Sequence, residues 1–134
     1  HLNYTIPAQI CAAAAKKLAE HHARERKTMH IAIISSVAGD RGRQSNYAYG
    51  AAKAALSTFA SGLRNRYSKL GVAVMTVKPG FIDTPMTWGM QSPLIASRES
   101  VAESIVKAME KSRDVVYVPF FWRYIMLIIL HIPE

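Results

Sequence analysis

Residues 31–53 read IAIISSVAGDRGRQSNYAYGAAK, and this stretch decides the fold. It opens with a short apolar run rich in β-branched side chains, which predicts a buried parallel strand over 30–36. A polar loop over 40–46 follows, and a long helix is then predicted from about Ser45 to Leu70, with Gly71 as its stop. A strand followed by a long helix is the unit from which parallel sheets are built.

The remaining sequence continues this alternation in both directions. The Pro, Met, Gly and Trp content of residues 81–96 is typical of a mobile lid. A capping box is predicted at Ser100-x-x-Glu103 in the helix that follows. Alternating strands and helices imply a parallel sheet with right-handed crossovers, so the predicted fold class is α/β. The other predicted elements are a helix over 5–26, a strand over 72–78, a helix from about 97 and a strand over 114–119.

The clearest chemical signal is Tyr49, which is followed by Lys53 one helical turn later. Residues at i and i+4 share a helix face, so the ammonium can lie beside the phenol and favour its ionised form. A general acid or base works best when its pKa lies near the working pH. Ser36 precedes the tyrosine by thirteen residues, at the predicted strand end, where ligands bind in open α/β sheets.

With these motifs in order, the chain resembles the short-chain dehydrogenase/reductase family. That family carries a serine at a strand end, Tyr-x-x-x-Lys on the next helix and Pro-Gly-x-x-x-Thr after the next strand. Here these are Ser36, Tyr49 with Lys53, and residues 79–84; the spacing to the tyrosine selects Ser36 over Ser35. The resemblance implies a doubly wound, Rossmann-type domain. It also implies an NAD(H)- or NADP(H)-dependent oxidoreductase, without choosing between the two cofactors.

The resemblance also implies a role for each catalytic residue. Tyr49 would exchange a proton with the carbonyl or alcohol oxygen, and Ser36 would hydrogen-bond the same oxygen. Lys53 would favour the phenolate and hold the nicotinamide ribose hydroxyls. Asn3 matches by position the family's asparagine that supports a proton relay, although its distance from Ser36 along the chain is longer than usual.

The same resemblance assigns the turn after the second predicted strand to cofactor binding. Pro79 and Gly80 would form the turn, while Thr84 and the backbone at Ile82 would meet the nicotinamide carboxamide or the phosphates. None of the seven glycines forms the glycine-rich phosphate loop that opens a typical family domain. We therefore expect residues 1–134 to be the C-terminal portion of such a domain, lacking its cofactor-binding first half and inactive alone.

Two rival functions stay open at this level. Nucleotide-sugar epimerases and dehydratases share Tyr-x-x-x-Lys but usually place a serine before the lysine, where this chain has Ala52. A non-catalytic, cofactor-binding scaffold is the other rival, and the presence of every catalytic residue type counts against it.

Composition excludes several other classes. With a single cysteine, Cys11, the chain can form neither an internal disulfide nor a cysteine-cluster metal site, and its five histidines show no ligand spacing. The net charge is +8, but the basic residues are scattered and no nucleic-acid motif occurs, which predicts a solvated surface. We expect no metal and no nucleic-acid partner.

The apolar segment 120–130, FFWRYIMLIIL, is too short to cross a bilayer, which needs about 20 residues. Burial against the sheet or a second subunit is the first interpretation of this segment, and docking at a membrane surface, which its aromatic, arginine and aliphatic content suits, is the alternative. The small residues of the long Tyr-Lys helix suggest a homo-oligomer. A fainter resemblance to decaprenyl-phosphoryl ketopentose reductases implies a lipid-linked sugar substrate. We expect a cytoplasmic protein that contacts the membrane peripherally.

Overall fold

The computed structural model describes residues 1–89 and 92–133, and these form a three-stranded parallel sheet with helices on both faces. The strands are β1 (Met29–Ile34), β2 (Val72–Pro79) and β3 (Val115–Val118), in the order β1-β2-β3. Met29 pairs with Val72, and Thr76 pairs with Val115. The predicted α/β class with a parallel sheet is confirmed.

Four α-helices lie in the described part of the chain: α1 (Thr5–Glu25), α2 (Tyr47–Tyr67), α3 (Arg98–Glu110) and α4 (Trp122–His131). Side chains of β2 alternate between two cores, as the pleat of a strand requires. On one face α1 and α2 pack against the sheet through Ala15, Leu56 and Ala60. On the other face α3 packs through Val101 and Ala108. The central strand is therefore covered on both sides, as the apolar runs predict.

Arg64 departs from the predicted solvated surface. Its side chain is only 14% exposed. The guanidinium donates to the carbonyl oxygens of Val74 and Asp114, both at 2.7 Å, and to Thr76 Oγ1 at 2.8 Å. This one side chain therefore joins α2 to the start of β3 across β2.

Several predicted boundaries need correction. β1 ends at Ile34, so both serines of the pair follow the strand instead of closing it. The capping box at Ser100 is wrong because Ser97 is the N-cap of α3 and its Oγ accepts from the Ser100 N–H at 3.2 Å. Gly71 does stop the long helix region, after a 3-10 turn, with a left-handed φ of 75°.

The predicted lid over 81–96 has regular contacts at its two ends. Ile82 and Ala96 form an isolated parallel bridge, and Pro85–Thr87 is a 3-10 turn. Trp88 is 89% exposed. The part of this prediction that falls on residues 90 and 91 lies outside the described residues.

The apolar tail forms α4 and is partly buried. Trp122 and Met126, one helical turn apart, pack with Val37 in a third core cluster. The opposite side of α4 is exposed. The predicted burial of the tail against the domain therefore holds for one side of the helix and not for the other. No helix among the described residues combines the length and apolar character needed to span a bilayer.

Candidate active site

The candidate site lies at the carboxyl ends of β1 and β2, where Ser35 connects the end of β1 to α2. Ser35 is 2% exposed. Its hydroxyl donates to the carbonyl of Lys53 at 2.9 Å and lies 2.7 Å from Ser57 Oγ. These bonds tie the end of β1 to α2, so this hydroxyl is used within the fold.

Ser36 stands one residue further along and has a different environment. It caps the 3-10 turn Val37–Gly39, and its Oγ accepts from the Ala38 N–H at 3.1 Å. Because the oxygen is the acceptor in this bond, the hydroxyl proton stays available for a second partner. Ser36 is also less buried than Ser35.

Two glycines let this turn approach α2 closely. A Cβ on Gly50 would lie 2.7 Å from the Ala38 carbonyl oxygen. A Cβ on Gly39 would lie 2.7 Å from the backbone of Lys53 and Ala54. The turn that carries Ser36 therefore rests directly on the helix that carries the Tyr-Lys pair.

Tyr49 and Lys53 lie together on α2. The Lys53 Nζ is 5.7 Å from the centroid of the Tyr49 ring and donates to the Ile34 carbonyl at 2.9 Å. Burial lowers the pKa of the Lys53 ammonium. The cation therefore lies between the phenol and Ile34, the last residue of β1. Ser36 is two residues further along the chain.

The turn after β2 is ordered by Thr87, which the sequence analysis missed. The Thr87 hydroxyl donates to the Ile82 carbonyl at 2.6 Å, and its oxygen accepts from the Thr84 N–H at 3.0 Å. Gly80 sits against α4, since a Cβ there would lie 1.9 Å from Trp122 Nε1. The predicted cofactor turn therefore has a defined conformation, and its role in binding stays a prediction.

A buried polar cluster of Asp40, Lys78 and Tyr117 also escaped the sequence analysis. Lys78 Nζ lies 2.5 Å from Asp40 Oδ1, and the Tyr117 hydroxyl donates to Asp40 Oδ2 at 2.8 Å. The Asp40 and Lys78 side chains are only 7% and 16% exposed. Burial, together with the bond to Asp40, raises the pKa of Tyr117. The cluster joins the loop after Ser36 to the ends of β2 and β3.

The same loop holds α4 through two arginines. Arg41 donates to the carbonyls of Ile129 and Ile132, the latter at 2.7 Å. Arg43 lies 3.9 Å from the sulfur of Met126. Carbonyl oxygens at the C-terminal end of a helix carry partial negative charge, so a cationic donor there is favourable.

Asn3 is the predicted site residue that takes no part in the hydrogen bonds described above. It is exposed and precedes α1, whose N-cap is Tyr4. Within residues 1–89 and 92–133 its side chain makes no hydrogen bond to Ser36, Tyr49 or Lys53. Its relay role stays a prediction.

Comparisons with known proteins identify the family of this chain. The short chain dehydrogenase family model matches residues 1–94. An uncharacterised oxidoreductase of Mycobacterium tuberculosis is 38% identical over 105 residues, which cover 78% of this chain and 42% of that protein. The chain thus spans less than half the length of this curated relative.

Solved structures give the same result. A short-chain dehydrogenase from Sphingobium yanoikuyae in complex with NADPH matches with a TM-score of 0.77 and 21% identity, covering 99% of this chain and 55% of that one. A short chain dehydrogenase from Burkholderia cenocepacia in complex with NADP matches with a TM-score of 0.61 and 28% identity, covering 66% and 38%. From the motifs, the fold and the family match together, the chain belongs to the short-chain dehydrogenase family.

Proposed function

We propose that the complete protein is a nicotinamide-dependent oxidoreductase that interconverts a carbonyl compound and an alcohol, with Tyr49 as the general acid and base. The observation that carries this proposal is the Lys53 ammonium, held 5.7 Å from the Tyr49 ring and bonded to the end of β1 beside Ser36. Family membership and the NADP- and NADPH-bound relatives support it.

The donors around Lys53 fit a ribose. An ammonium has three N–H donors, and in the described structure one of them goes to the Ile34 carbonyl. The others can reach vicinal hydroxyls at the same strand end, while the turn over 79–84 would lie along the rest of the cofactor. When bound, the nicotinamide supplies or accepts the hydride.

The residues of this chain would manage the proton. In reduction, Tyr49 gives its phenolic proton to the carbonyl oxygen as the carbonyl carbon gains the hydride, and the product is the alcohol. In oxidation, Tyr49 takes the hydroxyl proton back. Ser36 donates its free hydroxyl proton to the same oxygen, which positions that oxygen toward the phenol. The Lys53 charge stabilises the phenolate left after proton transfer.

Substitution of Tyr49 by Phe in the complete protein tests the assignment, because Phe keeps the ring and removes the proton. We expect kcat for reduction of a panel of ketones and aldehydes to fall by about 100-fold or more, the usual contribution of a general acid. NADH and NADPH binding should stay near the wild-type Kd.

Tyr47→Phe is the matched control, since this tyrosine opens the same helix and is 73% exposed. It should keep wild-type kcat. A Tyr49→Phe protein that retains more than a tenth of wild-type kcat would contradict the acid–base role. The predicted lipid-linked sugar substrate stays a prediction.

A further inference from the structure

The outer side of α4 carries an unusual amount of exposed apolar surface. Tyr124, Leu127 and Ile128 are 60%, 56% and 63% exposed, and Phe120 just before the helix is 74% exposed. Positions 124, 127 and 128 share one face by their i, i+3 and i+4 spacing. Trp122 and Met126 are buried on the opposite side. The helix is therefore anchored by one face and presents another apolar face outward.

A basic groove adjoins this face. Its cations come from the end of α3, the following turn and the first turn of α4. A second depression along α4 shares Val115, Tyr117 and Arg123 with the groove, and a third shares Leu127 with the second. The three form one continuous region, called here the α3–α4 surface. The basic residues of the groove are Lys107, Lys111, Arg113 and Arg123.

Few acidic groups balance these cations. Lys107 pairs with Glu103 at 3.7 Å, and both side chains are 72% exposed. Asp114, whose side chain is 74% exposed, lines an adjoining depression beside Lys111 and Arg113, and it pairs with Arg64 at 3.5 Å. Across the described part of the chain, Lys111, Arg113 and Arg123 form no ion pair. Glu110 is exposed on α3 but does not line the groove.

We propose that the α3–α4 surface docks onto an anionic lipid membrane. Exposed aromatic and aliphatic side chains of an amphipathic helix enter the headgroup boundary, while adjacent lysines and arginines meet lipid phosphates. The surface offers both features side by side, on a helix whose other face is fixed to the domain.

The charge pattern favours lipid over a second copy of the chain. A two-fold dimer centred on the groove would bring the basic residues of both subunits close together. Like charges across an interface oppose association. An anionic membrane complements the same groove directly.

The test is co-sedimentation of the complete protein with phosphatidylcholine vesicles, with and without about one-third phosphatidylserine. We expect binding to the anionic vesicles only, and loss of that binding at high salt, where charges are screened. Lys111→Ala with Arg113→Ala should weaken binding about thirtyfold, from about fivefold for each basic residue near the surface. Leu127→Asp should weaken binding at least tenfold by placing a charge in the apolar row.

Matched controls come from α1, on the other face of the sheet. Lys16→Ala with Lys17→Ala removes two exposed cations, and Ile10→Asp alters an apolar side chain that is 62% exposed. Both should bind as wild type. Circular dichroism melts identify any variant that loses its fold. The variant with Lys111→Ala and Arg113→Ala changes only solvent-facing side chains.

Three results would overturn the proposal. One is a wild type that stays in the supernatant with anionic vesicles at low salt. Another is binding that the controls reduce as much as the surface variants do. The third is a Leu127→Asp protein whose molecular mass in solution falls by half, which would assign the surface to a second copy of the chain.

Discussion

Substitution of Gly50 by Ala should disturb the candidate site through a single added methyl group. Gly50 lies in the first turn of α2, where an added Cβ would sit 2.7 Å from the Ala38 carbonyl oxygen. Real Cβ atoms essentially never approach a heavy atom closer than 3.0 Å, and this one belongs to backbone. The turn capped by Ser36 must therefore move away from α2.

Gly62 makes the effect measurable because it belongs to the same helix and faces open space. Gly→Ala in a helix interior stabilises by about 0.5–1 kcal/mol through backbone entropy. Both variants receive this gain, so the difference between them isolates the overlap at Gly50. Overpacking of this kind costs about 1–3 kcal/mol. The Gly50→Ala protein should be less stable than the Gly62→Ala protein by that amount.

Urea unfolding of the two complete variants gives the difference in free energy of unfolding, and steady-state kinetics gives kcat. Displacement of the turn by a few tenths of an ångström moves the Ser36 hydroxyl, and we expect roughly a tenfold loss of kcat for Gly50→Ala. Gly62→Ala should keep wild-type kcat. Equal stability and equal kcat for the two variants would refute the close contact between the turn and the helix.

Two further predictions concern the packing behind the site. Trp122→Ala should lower the free energy of unfolding, measured with urea, by about 3–5 kcal/mol because Trp122 is 3% exposed. Tyr124→Ala should change the free energy of unfolding by less than about 0.5 kcal/mol. Similar losses for the two variants would contradict the assigned faces of α4. Burial and, after it, the bond to Asp40 raise the pKa of Tyr117, so the un-ionised phenol contributes stability that is complete below pH ~10 and is lost as pH rises through the folded-state pKa. Tyr117→Phe should therefore destabilise at neutral pH and flatten the alkaline loss of stability, as thermal melts from neutral to alkaline pH would show.

The sequence was sufficient for the sheet, for most helices and for the placement of Tyr49 beside Lys53 on one helix. These follow from local signals: β-branched runs, a helix stop at Gly71 and side chains one turn apart. The two neighbouring serines also differ in environment, since Ser35 is buried and bonded to α2 whereas Ser36 is less buried, and the role of Ser36 stays a prediction. Local periodicity carries this information because it depends on residues near one another in the chain.

The contacts between distant segments could not be predicted in this way. Asp40 and Tyr117 are 77 residues apart, and nothing local indicates that a loop carboxylate meets a strand tyrosine. Arg64 belongs to a run of surface-like charges, yet three of its acceptors come from β2 and the residue before β3. Side-chain pairing across a fold depends on register and packing, which single-sequence patterns do not specify.

The position of α4 gives its two faces different surroundings. Its inner face contacts both loops of the candidate site. Arg41, in the loop after Ser36, donates hydrogen bonds to the last carbonyls of the helix, and Trp122 packs against Gly80 in the turn after β2. These contacts hold the inner face of α4 against both loops, and the outer apolar row therefore points away from the site. The proposed docking through that row requires no rearrangement of the site, and we expect substitutions there to alter membrane binding without altering kcat.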